Sequence, residues 1–431
     1  MRATARPLAA PAAAALVISL GLMLLSVLTP AFTDYENEAE GAFTALQRGD
    51  LGRFLGLAPA YGGSLVLRAP FALLPTLWGG GDLALFRAVS VPGALATAAL
   101  AVAVFAAARA AGQTTRTAWV ALGLVAASPM AMRALEIGHP EELVGGALCV
   151  GALLAAARDR ATLAAVLLGL ALANKPWAIL AVVPVLAALP AGRRARALAV
   201  AGAVAALILA PILLHGGQSL QTTATTAHSA GQIFQPWQVF WFFGDHGHVV
   251  MGSFGEKPGY RAAPEWAGRI SHPLVVLAGV GIALAWWRRR AAGGATAPTD
   301  VLLLLALVLL LRSLLDTWSI GYYHLPFLLA LTAWEVQARR GLPLLALTAT
   351  GLLWTTTDLM GRMASPDGQA AAYLVWAVPL ALALTVRLLA PERFAALARP
   401  VAGAARRALP SLAQPTTRSS LGSELSTSQP S

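Results

Sequence analysis

The chain has 431 residues, 57% of them hydrophobic and only 12% charged, which excludes an ordinary soluble domain because too little polar surface remains to face water. Lys and Arg outnumber Asp and Glu by 31 to 20, a balance that by itself would suit nucleic acid. The distribution of those charges assigns them instead to membrane topology, and no nucleic-acid partner is expected.

The first apolar run, Leu8 to Leu28, follows Arg2 and Arg6. A secretory signal has this basic start, but a run of about 20 residues is long enough to span a bilayer. No small-x-small cleavage pattern precedes Thr33, so an uncleaved first helix is expected. In chain order the apolar runs are 8–30, 85–108, 117–131, 143–157, 161–174, 176–191, 197–214, 272–287, 301–315, 324–338, 342–357 and 371–389. They predict an all-α polytopic membrane protein with about 12 hydrophobic helices. With the N-terminus inside, the inner side receives 20 of the 31 Lys and Arg but only 5 of the 20 Asp and Glu. That bias predicts a multi-pass protein of the cell membrane, in contact with membrane lipids, with both termini cytoplasmic. The single cysteine, Cys149, sits in an apolar run, so no intramolecular disulfide is possible.

Two external loops are long, 31–84 and 215–271. In the first, Ala39, Phe43 and Leu46 recur at helical spacing between Glu36 and Leu55 and predict an amphipathic helix at the interface. The stretch Ser64 to Trp78 is apolar but carries Arg68, Pro70 and Pro75, and suits a re-entrant or interfacial segment. The second loop holds Phe234, Trp237, Phe240, Trp241, Phe242 and Phe243, an aromatic cluster suited to the membrane boundary. The main domain is expected over 1–390, and residues 391–431 read as a disordered cytoplasmic tail rich in Ser, Thr, Pro and Arg.

Several runs are too short to cross. Ala161 to Asn174 is 14 residues, about 21 Å at the helical rise, against about 30 Å of hydrocarbon. Its inner end is pinned by Arg158 and Arg160, so Lys175 and Pro176 are expected at membrane depth. The same argument sinks the turn carrying Arg133, Glu136, His139, Glu141 and Glu142, and the turn running from Arg312 through Asp316 to His324. Ionisable groups at depth need protein or water around them, which predicts one polar cavity open to the outside. Tilted or locally thinned ends are the plainer alternative.

Candidate chemistry sits on those turns. Asp34 could deprotonate a hydroxyl, or serve as a helix N-cap with Thr33. Lys175 could hold a phosphate, or snorkel to lipid headgroups. Arg133, Glu136 and His139 could bind phosphate, acceptor or metal, or form a structural ion pair. Asp316, Trp318, Tyr322, Tyr323 and His324 offer stacking and hydrogen bonds suited to a sugar, or an aromatic belt. Asp245, His246 and His248 resemble a metal cluster only superficially, since a His-x-His pair leaves the fourth ligand unnamed. No cofactor is called for, and a divalent metal is left open. No Gly-rich phosphate loop marks a nucleotide-sugar donor.

Four passages carry a resemblance: Thr33-Asp34-Tyr35; Phe86-Arg87-Ala88-Val89-Ser90; the stretch from Ser128-Pro129 through Gly138-His139-Pro140-Glu141-Glu142 to Asn174-Lys175-Pro176-Trp177; and Leu315-Asp316-Thr317-Trp318 with Tyr322-Tyr323-His324-Leu325-Pro326. In their order and topology they resemble the GT-C superfamily of membrane glycosyltransferases, in particular glycosyltransferase family 87 and its bacterial relatives. The resemblance implies a hexosyl transfer, mannose being the default, from a polyprenyl-phosphate sugar to a lipid, polysaccharide or protein acceptor on the external face. The essential acid of the first loop maps onto Asp34, with Glu36 the alternative register. The donor phosphate would then be held by Lys175, with Arg133 or His324 assisting. A polytopic transporter or lipid flippase is the competing reading, and a scaffold or a polysaccharide polymerase or ligase a third. Both of the first two share spans and a cavity, but a transporter should show paired, broken half-helices, and the sequence shows none.

Overall fold

The computed structural model describes residues 8–28, 34–215, 217–230, 233–245, 259–293 and 297–396. Thr33, His246, His248 and residues 397–431 of the expected tail lie outside the described residues. The chain divides into two units, residues 1–389 and residues 390–431. Within the second, residues 391–396 are helical.

The first unit is built almost entirely of helices, as its Ala- and Leu-rich runs favour. Helix α1 (Ala9–Ser26) is followed by the first long loop, which is itself helical. A wide turn at Glu36–Glu40 runs into α2 (Gly41–Gln47), then come α3 (Leu51–Leu57) and α4 (Gly63–Ala72). The expected single interfacial helix is thus broken: Gly49 takes a left-handed turn and Asp50 caps α3 by accepting from the Arg53 amide at 2.9 Å. Its apolar stripe does not lie open to lipid, because Ala39 and Phe43 are buried in the protein core.

Next come α5 (Asp82–Ala110), α6 (Thr115–Ala126), α7 (Pro129–Ile137), α8 (Pro140–Ala156) and α9 (Ala161–Asn174). Proline starts α7 and α8, where a missing amide hydrogen is harmless. Beyond a 3₁₀ turn at Pro176–Ala181 lie α10 (Val182–Ala188), α11 (Ala191–His215) and α12 (Gly217–Ala230). A two-residue antiparallel pairing joins β1 (Ile233–Phe234) to β2 (Arg261–Ala262), with Ile233 opposite Ala262. The remainder is α13 (Glu265–Ala291), α14 (Asp300–Leu315), α15 (Leu325–Ala338), α16 (Leu344–Trp354), α17 (Met360–Met363) and α18 (Pro366–Leu389).

Among the described residues, six helical segments are long and apolar enough to cross a membrane: Ala9–Ser26, Asp82–Ala110, Thr115–Ile137, Ala191–His215, Glu265–Ala291 and Pro366–Leu389. The chain is therefore a multi-pass membrane protein. The other apolar runs form shorter helices, so length alone marks only part of the expected 12 or so hydrophobic helices as candidate spans. The difference has a physical basis. Helices α8, α14 and α15 are buried along nearly their whole length. Hydropathy reads a helix surrounded by protein in the same way as one surrounded by lipid. The long helices instead present wide apolar faces, with Leu207, Leu277 and Val375 each more than two-thirds exposed. Such faces are tolerable only against hydrocarbon.

The second long loop folds inward more than an aromatic belt would. Phe234, Phe240 and Trp241 form a buried cluster, and Trp237 donates its indole N–H to the Ser319 carbonyl at 2.9 Å. Phe242 and Phe243 remain exposed.

Candidate active site

The site begins with a close approach between two backbones 103 residues apart (138 − 35). Gly138 ends α7 in the left-handed region, φ 101°. A Cβ there would sit 2.5 Å from the Cβ of Tyr35 and 2.7 Å from its backbone nitrogen, so only glycine fits. Tyr35 is fixed from the other side by stacking on Phe86, ring centroids 4.4 Å apart. Arg87, the next residue of α5, donates to the Val27 carbonyl at the end of α1 at 2.9 Å. The start of α5 therefore anchors both flanks of the segment leading to Asp34.

This contact delivers Asp34 to His139. Asp34 Oδ2 lies 3.0 Å from His139 Nε2, and Glu141 Oε1 lies 2.7 Å from His139 Nδ1. Both ring nitrogens face carboxylates, which calls for a doubly protonated imidazolium donating twice. Burial opposes that charge, but the Glu141 carboxylate and the hydrogen bonds to Asp34 and Glu141 outweigh it and hold His139 up at about 10. The ring also stacks on Tyr322 at 4.9 Å.

From Glu141 the network continues to Lys175, Nζ 3.2 Å away, and to Arg68, Nη1 3.7 Å away. Lys175 stands where α9 stops: Pro176 forbids another helical turn, and Lys175 is extended at φ −152°. Asn174 ties that corner to α8 by donating to the Glu141 carbonyl at 2.8 Å. Arg68 is brought in by α4, whose first residue Gly63 packs so tightly on the Ala173 carbonyl that a Cβ would lie 2.2 Å from it.

Glu142 anchors a second, deeper pair. It is fully buried and accepts from Arg312 through both carboxylate oxygens at 3.3 Å, and from the Trp177 indole at 3.1 Å. The Arg312 guanidinium lies between the rings of Trp177 and Tyr323, 4.6 and 4.3 Å from their centroids.

A cavity of about 190 Å³ opens over the first of these clusters. Glu36, Glu38, Arg68, His139, Glu141 and Lys175 all line it. Arg68 Nη1 and Glu141 Oε2 are buried there without a hydrogen-bond partner among the described residues. Asp34 keeps 39% of its side chain exposed. Burial, with the Asp34 charge, pushes the Tyr260 hydroxyl up, while Arg133 pulls it back.

Residues 63–315 match the model of glycosyltransferase family 87, more than half of the chain. The chain belongs to that family. No curated protein matches it. The matched segment of this glycosyltransferase contains the Gly138, His139, Glu141, Lys175 and Arg312 corner, while Asp34 lies before it. Nothing in the family match or the fold supports a transporter or flippase.

The structure joins Asp34, His139 and Lys175 within one network, with Glu36 in the lining of the cavity and Tyr322 stacked on the His139 ring. It leaves others apart. Arg133 pairs with Glu136 at 2.7 Å, both about half exposed, one helical turn from the cavity turn. His324 is fully buried, faces the Tyr373 hydroxyl and the Gly321 carbonyl, and does not line the cavity, so its proposed help with a phosphate is not met by its position. Asp316 accepts from the Trp318 amide at 2.9 Å and pairs with His272 at 3.3 Å, forming a cluster of its own. Tyr323 packs on Arg312 rather than on the cavity wall. Asp245, the described member of the candidate metal cluster, is in a backbone bridge with Ala262.

Arg68, Glu141, Glu142, Arg312 and Glu38 are the members that sequence reasoning did not assign a role. The available signal was position: Arg68 and Arg312 interrupt strongly apolar runs, and an ionisable group there needs a partner.

Proposed function

We propose that this glycosyltransferase moves a sugar from a polyprenyl-phosphate donor to a hydroxyl acceptor at the external face of the cell membrane, with Asp34 as the base. The observation that carries the reading is the continuous chain from Asp34 through His139 and Glu141 to Lys175. It sets a carboxylate and a cationic cavity wall on two sides of one imidazolium.

Cationic groups in the cavity lining support a phosphodiester donor. Arg68, His139 and Lys175 all line it, and a polyprenyl-phosphate sugar carries one negative charge. Arg68 Nη1, ion-paired with Glu141 but without a hydrogen bond among the described residues, and the Lys175 ammonium are the donors that can meet its oxygens.

The proposed step forms a bond between the acceptor oxygen and the anomeric carbon and breaks the bond from that carbon to the phosphate oxygen. The acceptor proton passes to Asp34 Oδ. The electron pair of the broken bond stays on the polyprenyl phosphate, whose added charge the Lys175 and Arg68 side stabilises. His139, charged and hydrogen-bonded at both nitrogens, holds Asp34 in place. The acids Glu36 and Glu38 face the cavity and can accept hydroxyl hydrogens of a sugar.

The test is transfer from labelled polyprenyl-phosphate mannose, and from other polyprenyl-phosphate sugars, in membranes with and without this chain. Chain-dependent labelling of a lipid, polysaccharide or protein is expected from one of them. Labelling from a nucleotide sugar in the absence of polyprenyl phosphate would overturn the donor assignment.

A further inference from the structure

At the end of α9 opposite Lys175, a groove of about 590 Å³ runs between the start of α9 and the start of α11. Its lining combines Arg160, Arg193, Arg196 and Asp159 with the aliphatic Leu163, Ala197 and Val200. We propose that this groove binds the headgroup phosphate of an anionic phospholipid, whose acyl chain lies along the outer face of α11. The site is separate from the transfer chemistry: 14 residues of helix, about 21 Å, divide Arg160 from Lys175.

Three observations carry the assignment. The first is uneven use of the arginines at this end of the molecule. Arg194 donates to the Leu189 carbonyl and covers the Trp287 ring, Arg289 donates to the Leu388 carbonyl, and Arg290 to the Ala187 carbonyl. Those side chains close helix ends. Arg193 is held by Asp159, Nη1 to Oδ1 at 2.7 Å, in a turn where Asp159 itself is left-handed at φ 58°. Arg160 and Arg196 have no acidic partner among the described residues, so the groove keeps two uncompensated positive charges. Arg160 also pushes down the neighbouring Arg158, whose guanidinium burial already disfavours.

The second observation is that the apolar lining does not end at the groove. Leu163 is 44% exposed, and Leu207, seven residues beyond Val200 on the same face of α11, is 74% exposed. A free phosphate would use the arginines alone. A soluble acidic partner would leave that aliphatic track uncovered. A phospholipid satisfies both the charge and the track.

The third is the position of the groove along the membrane axis. It lies at the arginine-rich end of the spans, where the cytoplasmic leaflet places its anionic headgroups, and basic pockets between helices at that level suit them.

The full chain, purified in detergent, is exposed to equal amounts of phosphatidylglycerol and phosphatidylcholine and its lipid adducts are counted by native mass spectrometry. Phosphatidylglycerol should be retained at least fivefold better than phosphatidylcholine. The double variant Arg160→Gln/Arg196→Gln should lose that preference and keep its phosphatidylcholine adducts. The double variant Arg116→Gln/Arg288→Gln removes two exposed arginines from outside the groove and should keep the preference. Equal retention of the two lipids by the unaltered chain, or equal loss in both double variants, overturns the proposal. So does full displacement of phosphatidylglycerol by millimolar inorganic phosphate. None of these readouts depends on transfer activity.

Discussion

Asp34 and His139, 105 residues apart in the chain, meet at 3.0 Å through Oδ2 and Nε2. The imidazolium is itself held at Nδ1 by Glu141, so it cannot turn away from Asp34. Replacing His139 with Gln keeps a donor but removes the charge and the second hydrogen bond. Transfer should fall about 10- to 100-fold, as expected when a group that orients a base is lost, a smaller loss than the roughly 10²–10⁴ carried by the base itself. The drop should appear in kcat, with donor KM little changed. A loss confined to donor KM would assign His139 to the phosphate instead.

The same charge makes stability depend on pH. The folded-state value of His139, about 10, lies above the ordinary 6.5. Its contribution is therefore complete below pH 6.5 and is lost as pH rises through about 10. Melting temperature in detergent should decline across that window. His139→Gln should flatten the decline, and an unchanged profile would refute the assignment.

Gly138→Ala tests the backbone contact that brings Asp34 in. The substitution adds about 1–2 kcal/mol of left-handed strain and drives a methyl group into Tyr35, 2.5 Å from its Cβ. Transfer should fall at least tenfold while the protein still inserts and elutes as a single species. Full activity would show that the approach of residues 35 and 138 is dispensable.

Glu142 and Arg312 form the buried pair beneath the cavity. Arg312→Leu removes the main partner of a carboxylate at 0% exposure, leaving it Lys175 at 4.0 Å and the Trp177 indole, which should cost up to about 3–5 kcal/mol. The double variant Arg312→Leu/Glu142→Leu should recover most of that loss, measured as thermal unfolding in detergent. Additive losses would mean that the two groups are not coupled.

Much of this corner was legible in the sequence. The length of the run 161–174 and the proline after Lys175 placed that ammonium at a helix end, and the structure ends α9 there. The pairing of Asp34 with His139 was not legible, because nothing local encodes a contact across 105 residues. Nor did the sequence name what would approach Gly138, since Tyr35 lies 103 residues away. Arg68 stood out in an apolar stretch, but its partner Glu141 belongs to another helix. His324 resembled a cavity residue because its turn is polar; its actual partner, Tyr373, comes from α18. Which of the apolar helices cross was not legible for a similar reason, since α14 and α15 are strongly apolar but are enclosed by protein.

The most direct test of the account is transfer by Asp34→Asn in proteoliposomes with a labelled polyprenyl-phosphate sugar. Asparagine keeps the size and a hydrogen-bonding oxygen for His139 but cannot take a proton. The account predicts transfer reduced by about 10²–10⁴, with the melting temperature within a few degrees of the unaltered chain. Transfer at the unaltered rate would contradict it, and would move the base to one of the first-loop acids that line the cavity, Glu36 or Glu38.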